Sequence, residues 1–435
     1  MNNLKRFAQK QTKTFILIFC FLVLFCFSAD AYKIDSTRVR PKQEDNNSLG
    51  QKLIKVPTLI IYSPFWITEK VVDFSANKIF LSRPAKRFYS LFKQVDRVWG
   101  FYPTGGYGGN SGLSGGLVFT SKQVFTKGER LKIKGTYSTH NYQRYYVRYT
   151  LPSKFKPFRD TRLLIEYQKK PYESFYGLGV SSLQDDEVAF TAEEGDIVGS
   201  FSLKLSSRIN FGFEASYRII NTFDGEDPDM EGNLDSIKSN LSLNDYDLLS
   251  TRLISGGISL SYDWRDNPFQ PSRGGFNQID IIYNHGIKRS DDIEYLTGYL
   301  DLQQFFNLYK KRILAVRMMV EGINRPDNTS PLPFYLKSSL GGEDNLRGYS
   351  TRRFVDYNSA LLTIEYRYPV YFGADMFIFL DEGRVFNSLD EDFSLSNWRY
   401  SAGFGLRMWN PEGMILKTEV AFGDEGHRFY LQLLM

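Results

Sequence analysis

The feature that most constrains this chain is a period-two alternation of apolar and polar residues. Late in the chain, Ile364 and Tyr366 fall on one face of a strand, while Glu365 and Arg367 fall on the other. A soluble sandwich also alternates, but charges in the middle of a strand better fit the polar lumen of a transmembrane β-barrel. The same pattern runs through residues 198–206, 255–265 and 361–370.

The N-terminus predicts export from the cytoplasm. A basic stretch (Lys5 to Lys13) precedes the unbroken apolar run Phe15–Phe27, and Ala29-Asp30-Ala31 then fits a cleavage site. We therefore interpret residues 1–31 as a signal peptide rather than a membrane anchor. Both cysteines, at positions 20 and 26, lie inside it, so we expect no disulfide, no cysteine-ligated metal and no thiol nucleophile in the mature chain.

Composition narrows the class of partner. Aromatic residues make up 16% of the chain, which is too many for a disordered protein. The net charge is +5, and the signal segment carries much of that excess, so we expect no nucleic-acid partner. No later stretch has the roughly 18 apolar residues that a spanning helix needs. We therefore expect β-strands, and not helices, to contact the outer-membrane lipid.

The pattern predicts an all-β fold, an antiparallel transmembrane barrel of about sixteen strands across residues 100–435. With a periplasmic N-terminus, the long connections 171–195, 222–249, 326–357 and 387–396 all fall outside the cell, and most of the others are tight turns. We expect strands at residues 100–109, 112–125, 130–139, 142–152, 160–170, 196–206, 209–221, 250–266, 274–286, 294–308, 311–325, 358–370, 374–386, 397–411, 413–424 and 427–435.

Residues 32–99 differ from the barrel in character. The segment 64–74 predicts a short amphipathic helix, and Ser82-Arg83-Pro84 predicts the start of another. We expect a partly helical periplasmic segment that lies on the membrane or under the barrel mouth. A mostly unstructured leader is the alternative.

Three sequence motifs are more specific than the alternation that any transmembrane β-barrel shows. In the first motif, one strand ends at a pair of opposite charges, a proline-containing turn follows, and the next strand begins at a glycine. Its defining residues are Asp263, Arg265, Asp266, Pro271 and Gly274. The second, Gly341–Tyr349, lies inside the longest loop, and the third, Phe379–Arg384, lies in a late strand. Together with a glycine-rich first strand, these motifs resemble the BamA/TamA family of outer-membrane assembly factors, the bacterial surface antigen superfamily.

The resemblance implies that loop 326–357 folds back into the lumen. In that family an Arg-Gly-aromatic tip on this loop pairs with acidic and aromatic groups of the inner wall. The tip here is Arg347-Gly348-Tyr349, and its candidate partners on the lumen wall are Asp381, Phe379, Glu365 and Arg367. A guanidinium can tie a loop to carboxylates in a fixed geometry. The role is either to hold the loop in place or also to shape a weak seam between the first and last strands.

The resemblance implies a barrel that assists insertion or translocation of proteins, or of lipid, at the outer membrane. Its partners would be client outer-membrane or surface proteins; whether an accessory lipoprotein or a second copy assists is open. The family's periplasmic polypeptide-transport domains precede the barrel, and residues 32–99 hold at most part of one. The alternative is a plugged or passive pore, or a structural outer-membrane protein.

An enzyme is not expected. A hydrolase of the outer membrane needs a serine near a histidine in strand geometry. The chain has three histidines, and His285 has no serine two residues away on its face. We expect no catalytic residue, no metal site and no cofactor.

Overall fold

The computed structural model describes residues 98–433, apart from residues 109–110, 153–157, 226–249, 291, 309–311, 327–330, 372–373, 389–396 and 411–412. The predicted signal peptide, the predicted helices and nearly all of segment 32–99 lie outside the described residues. Within the described ranges, no helix is long and apolar enough to cross a membrane.

The predicted barrel is confirmed. Sixteen antiparallel strands form one closed sheet, and two further strands, β12 and β13, pair with each other inside a loop. The strands are β1 (Trp99–Gly108), β2 (Gly112–Gln123), β3 (Lys127–Ser138), β4 (Gln143–Pro152), β5 (Phe158–Phe175), β6 (Val188–Lys204), β7 (Ile209–Asp224), β8 (Thr251–Asp263), β9 (Gly274–Gly286), β10 (Glu294–Asn307), β11 (Ile313–Asn324), β12 (Ser338–Leu340), β13 (Phe354–Asp356), β14 (Asn358–Tyr371), β15 (Ala374–Phe386), β16 (Arg399–Asn410), β17 (Gly413–Gly423) and β18 (Gly426–Leu433).

Each strand turns one face outward and one into the lumen. Ile133, Ile165, Ile258 and Ile279 are between 42% and 49% exposed, as expected of side chains that face lipid. The residues between them point inward and are mostly polar or charged. Alternation in the sequence therefore becomes an apolar outer surface around a polar interior.

The barrel closes where β1 meets β18, and this junction is the shortest in the described sheet. Gly105, Gly106 and Tyr107 pair with Leu433, Gln432 and Leu431, which gives three residue pairs. By contrast, β17 and β18 pair over eight residues, from Leu416 to Gly423. Because ladder hydrogen bonds join neighbouring strands, the described part of this junction contributes fewer such bonds than the described part of any other strand pair in the barrel.

The loop between β11 and β14 fills the lumen near one end of the barrel, which we call the loop end. Its hairpin β12–β13 pairs Ser338–Leu340 with Phe354–Asp356. The loop packs on the wall through three apolar clusters, one of which joins Leu340, Leu346 and Tyr349 to Leu361 and Val385 of β14 and β15. The opposite end of the barrel, with short connections, is called the turn end.

One predicted loop is wrong in extent. Residues 171–195 were expected to form a long connection, but β5 continues to Phe175 and β6 begins at Val188. The register of the β5–β6 ladder shifts between Lys170 and Glu173, and pairing then continues from Glu173 to the end of β5. The extension is stabilised by burial, because Phe175 and Val188 pack against Phe334 of the inward loop.

Candidate functional site

The arginine at the loop tip lies deep in the lumen. Arg347 donates two parallel hydrogen bonds to Asp381 of β15, from Nε at 2.8 Å and from Nη2 at 2.6 Å. Asp381 is fully buried and also accepts hydrogen bonds from Thr363 and Ser401. This forked geometry fixes both the position and the orientation of the loop tip.

Three further groups contact Arg347, two at its guanidinium and one at its backbone carbonyl. The guanidinium carbon lies 3.4 Å from the ring centre of Phe379, two residues before Asp381 on the lumenal face of β15. Nη1 donates to Glu419 of β17 at 3.3 Å. Tyr430 of β18 donates to the carbonyl oxygen of Arg347 at 2.9 Å. The loop tip is thus bound to β15, β17 and β18, the strands on one side of the seam.

The remaining two predicted partners form a second layer. Glu365 lies 3.9 Å from Arg347, and its main partner is Arg407, which donates two hydrogen bonds at 2.6 and 2.7 Å. Arg367 donates to the same carboxylate at 2.5 Å, so it reaches Arg347 only through Glu365. Arg407 in turn stacks over Phe377 at 3.9 Å. The alternating carboxylates and guanidiniums form one continuous network across β14–β17.

Gly348 and Tyr349 complete the tip. A Cβ on Gly348 would lie 2.6 Å from Cβ of Ser401 and 2.8 Å from the backbone nitrogen of Gly423, so no side chain fits there. Tyr349 is fully buried, and its hydroxyl donates to Asp424 at 3.3 Å. The backbone of the loop tip at Gly348 therefore packs directly against the backbone of the barrel wall at Gly423.

A second arginine holds the loop and was not singled out from the sequence. Arg353 is 2% exposed; its Nε donates to Glu425, in the β17–β18 turn, at 2.8 Å, and Nη2 donates to the carbonyl of Ser182 at 2.8 Å. Its guanidinium also lies 4.4 Å from the ring centre of Tyr176. Glu419 was missed as well. The run Arg352-Arg353 was a visible signal, but nothing in the sequence names a partner 72 residues away.

The Asp263–Gly274 motif forms the β8–β9 turn at the turn end, away from Arg347. Arg265 donates to Asp263 through Nε at 2.9 Å and Nη2 at 2.8 Å. Gly274 has φ +92°, and a Cβ there would lie 2.2 Å from the carbonyl of Trp264, so only glycine fits. Pro271 is buried within the turn.

Asp266 organises that turn internally. It accepts hydrogen bonds from the backbone of Asn267, Ser272 and Arg273 and from the Ser272 hydroxyl. The pKa of Asp266 lies below its usual value. Burial alone would raise this pKa, but the hydrogen bonds stabilise the charged carboxylate and outweigh the effect of burial.

The turn also reaches across the barrel mouth. Gln270 donates from Nε2 to Asp375 of β15 at 2.9 Å, and Trp409 of β16 donates to the same oxygen at 3.1 Å. Asp375 is 4% exposed. The β8–β9 turn therefore contacts the beginning of β15 through Gln270, whereas the loop tip contacts the middle of the same strand.

A sixteen-stranded barrel with an inward loop tied to its wall by arginine defines the class of protein. The chain belongs to the Omp85 superfamily, whose domain model matches residues 124–433. No curated protein matches the chain.

Solved structures share the fold at low identity. BamA from Haemophilus ducreyi lacking POTRA domains 1–3 aligns at 17% identity and a TM-score of 0.57, over 77% of this chain and 70% of that one. CdiB from Escherichia coli aligns at 11% identity and 0.53, over 78% and 63%. CdiB from Acinetobacter baumannii aligns at 13% and 0.52, over 78% and 60%. The chain thus spans less than two thirds of either CdiB.

Proposed function

We propose that this chain assists the insertion or translocation of proteins at the outer membrane, with the β1–β18 junction as the opening through which a client passes. The observation that carries the proposal is the short β1–β18 ladder, in which, among the described residues, Gly105–Tyr107 pair with Leu431–Leu433. Membership of the Omp85 superfamily and the resemblance to assembly factors support it. A client strand entering the seam would add to an exposed strand edge and satisfy backbone groups that lipid leaves unpaired.

The anchored loop gives the seam one rigid side. The loop tip is bound to β17 by Arg347 and to β18 by Tyr430. Arg353 adds a tie to the turn that joins β17 and β18. When the seam opens, β18 therefore stays in register with the loop, while β1 is the strand that moves. Arg347 both holds the loop and supports this edge.

The remaining features follow from this proposal. Residues 1–31 are removed on export, and segment 32–99 remains in the periplasm. Client outer-membrane or surface proteins are the partners, together with outer-membrane lipid. An accessory lipoprotein or a second copy of the chain would supply client capture where the periplasmic segment does not. The chemistry is the rearrangement of hydrogen bonds and apolar contacts, without a covalent step.

The alternative function is a plugged or passive pore, or a structural outer-membrane protein. The continuous ionic network around Glu365 and the packed loop would favour a plugged barrel, because both obstruct the lumen without requiring a client. Electrical conductance of the purified barrel in a planar bilayer separates these functions: a stable open pore favours a passive channel, a record without any openings favours a plugged or structural barrel, and a closed, flickering record favours assembly.

Comparing a full deletion with Arg347→Ala in the native host tests the proposal. Outer-membrane and surface proteomes are quantified by mass spectrometry, and accumulation of the variant barrel itself is the control. We expect a specific set of proteins to fall in both strains while the variant barrel remains at its normal level. If no protein other than the barrel changes, the role in protein insertion is wrong.

A further inference from the structure

Beyond that function, we propose that the β8–β9 turn is a gate, which closes the turn-end mouth of the lumen and opens when Gln270 releases Asp375. We call residues 264–273 the strap. The strap lies inside the Asp263–Gly274 motif, and the passage of a client through the β1–β18 seam uses no part of it. Control of access to the lumen from the turn end gives this motif a role.

The strap is longer than the joining of two neighbouring strands requires. It spans ten residues between Asp263 and Gly274, whereas the other six connections at the turn end span two to five residues. Two residues suffice to join antiparallel neighbours in a hairpin. At about 3.3 Å per residue, each arm of the strap, with about five residues, reaches about 16 Å. The additional length carries the tip of the strap away from its own two strands.

The tip of the strap is attached to a distant part of the barrel wall. Gln270 donates from Nε2 to Oδ2 of Asp375 at 2.9 Å. Asp375 belongs to β15, which lies four strand positions from β9 in the closed sheet, a quarter of the way round its sixteen strands. Its side chain shares the lumenal face of β15 with Asp381, since the residues of opposite parity, Ile378 and Leu380, are 39% and 43% exposed on the outer surface. The strap therefore crosses the mouth instead of lining its rim.

The strap is internally rigid. Oδ1 of Asn267 accepts a hydrogen bond from the backbone nitrogen of Gln270 at 3.2 Å. Pro268 and Pro271 restrict the backbone on either side, because the proline ring fixes φ. Asp266 joins the two arms of the strap through its hydrogen bonds to the far arm. The strap therefore moves as one piece and presents the Gln270 side chain in a fixed direction.

The attachment to the distant wall is a single point. Among residues 264–273, all of which the structure describes, Gln270 alone makes a hydrogen bond to a barrel strand other than β8 and β9. Trp409 of β16 donates to the same oxygen of Asp375 at 3.1 Å, so this carboxylate keeps one donor when Gln270 leaves. That donor matters because Asp375 is 4% exposed, and a buried carboxylate without a partner is costly. Release of the strap therefore breaks one hydrogen bond and leaves every ladder of the barrel intact.

The attached end of the strap lies beside a cavity in the lumen. The cavity has a volume of about 950 Å³, and residues 341–345 of the inward loop form one of its boundaries. Trp409 and Met414, near the turn end of β16 and β17, form another. Trp409 is the side chain that shares the Asp375 oxygen with Gln270. The inward loop and the strap thus lie at two different boundaries of the same cavity, and release of the strap opens the boundary at the turn end.

Access to the cavity can be measured by cysteine labelling, because the chain from residue 32 onward has no natural cysteine. Gln168→Cys places a thiol on the cavity wall, and fluorescein maleimide then reports how often a reagent enters the folded barrel in detergent. At about pH 8, Gln270→Glu sets an ionised carboxylate against Asp375, so the strap should open. We expect labelling to accelerate about tenfold, the effect of losing one charge-assisted hydrogen bond. Gln278→Glu, which sets the same charge against Asp280 within β9, should label at the rate of the parent.

A double variant separates release of the strap from misfolding. Gln270→Glu combined with Asp375→Asn exchanges the amide and the carboxylate, so the new amide donates to the new carboxylate and still accepts from Trp409. This variant should return labelling to the rate of the parent. The proposal is wrong if Gln270→Glu labels at the parent rate, if Gln278→Glu accelerates labelling equally, or if the double variant stays as fast as Gln270→Glu. No client is present in this measurement, so its outcome is independent of the role in protein insertion.

Discussion

Arg347→Ala should release the inward loop while leaving the barrel folded. The substitution leaves the buried carboxylate of Asp381 without its forked partner, and breaking a buried pair in this way typically costs about 3–5 kcal/mol. Asp381 keeps hydrogen bonds from Thr363 and Ser401, and Glu419 keeps Lys417. These remaining donors favour the lower limit, about 3 kcal/mol.

Loop release can be measured by cysteine labelling, because the two natural cysteines lie in the predicted signal peptide. Ser350→Cys places a thiol of similar size at a position that is 8% exposed. A cost of about 3 kcal/mol raises the population of the released loop roughly a hundredfold, so maleimide labelling should accelerate by about that factor in Arg347→Ala. Ser206→Cys, in an exposed turn, controls for reagent reactivity.

Global stability should change much less than the labelling rate. With about 2.1 cal/mol/K of unfolding entropy per residue, the same cost lowers the melting temperature of the barrel by only about 4 °C. Arg347→Lys, which keeps the charge but loses the fork, should fall between wild type and alanine. Labelling within twofold of wild type in Arg347→Ala would refute the reasoning, since the apolar clusters alone would then hold the loop.

Three further predictions concern the loop tip, its second arginine and the β8–β9 turn. Gly348→Ala should lower the melting temperature, because overpacking against backbone costs about 1–3 kcal/mol, whereas Gly115→Ala, whose Cβ meets no atom within 4 Å, should be neutral. A double-mutant cycle of Arg353→Ala and Glu425→Gln should give a coupling of about 1–3 kcal/mol in denaturant unfolding, and additivity would contradict the tie. The lowered pKa of Asp266 means that its ionised form stabilises the fold above about pH 4, and that this contribution is lost as pH falls through the folded-state pKa. In acid titrations, Asp266→Asn should therefore be less stable than wild type at neutral pH and approach it at low pH, and a constant difference would contradict this.

Much of the fold could be predicted because membrane strands must alternate. Glu365 between Ile364 and Tyr366 fixes which face of β14 is lumenal, and the same rule located all sixteen barrel strands. The rule fails where burial no longer follows period two. The ends of β5 and β6 pack against the inward loop, so their pairing depends on a partner more than 140 residues away in the chain. The hairpin β12–β13 has only three residues per strand and gives no periodic signal.

The candidate site could be predicted only in part. A family motif located Arg347, and strand parity put Asp381 and Phe379 on the same face of β15. Strand parity alone does not say which lumenal carboxylate is within reach. Glu419 and Glu425 are lumenal or turn residues like several others, and only the closed barrel brings them to Arg347 and Arg353. The bridge from Gln270 to Asp375 was hidden for the same reason.

The central claim, that clients pass through the β1–β18 seam, is tested most directly by locking it. Tyr107 and Leu431 are paired across the junction, so Tyr107→Cys with Leu431→Cys places two thiols at a spacing near that of a disulfide. Ala402→Cys with Phe422→Cys provides the matched lock between β16 and β17. Outer-membrane and surface proteins are then quantified under oxidising and reducing conditions in the native host. We expect the seam lock alone to deplete client proteins, with recovery on reduction. Normal client levels in cells whose seam is fully cross-linked would contradict the account.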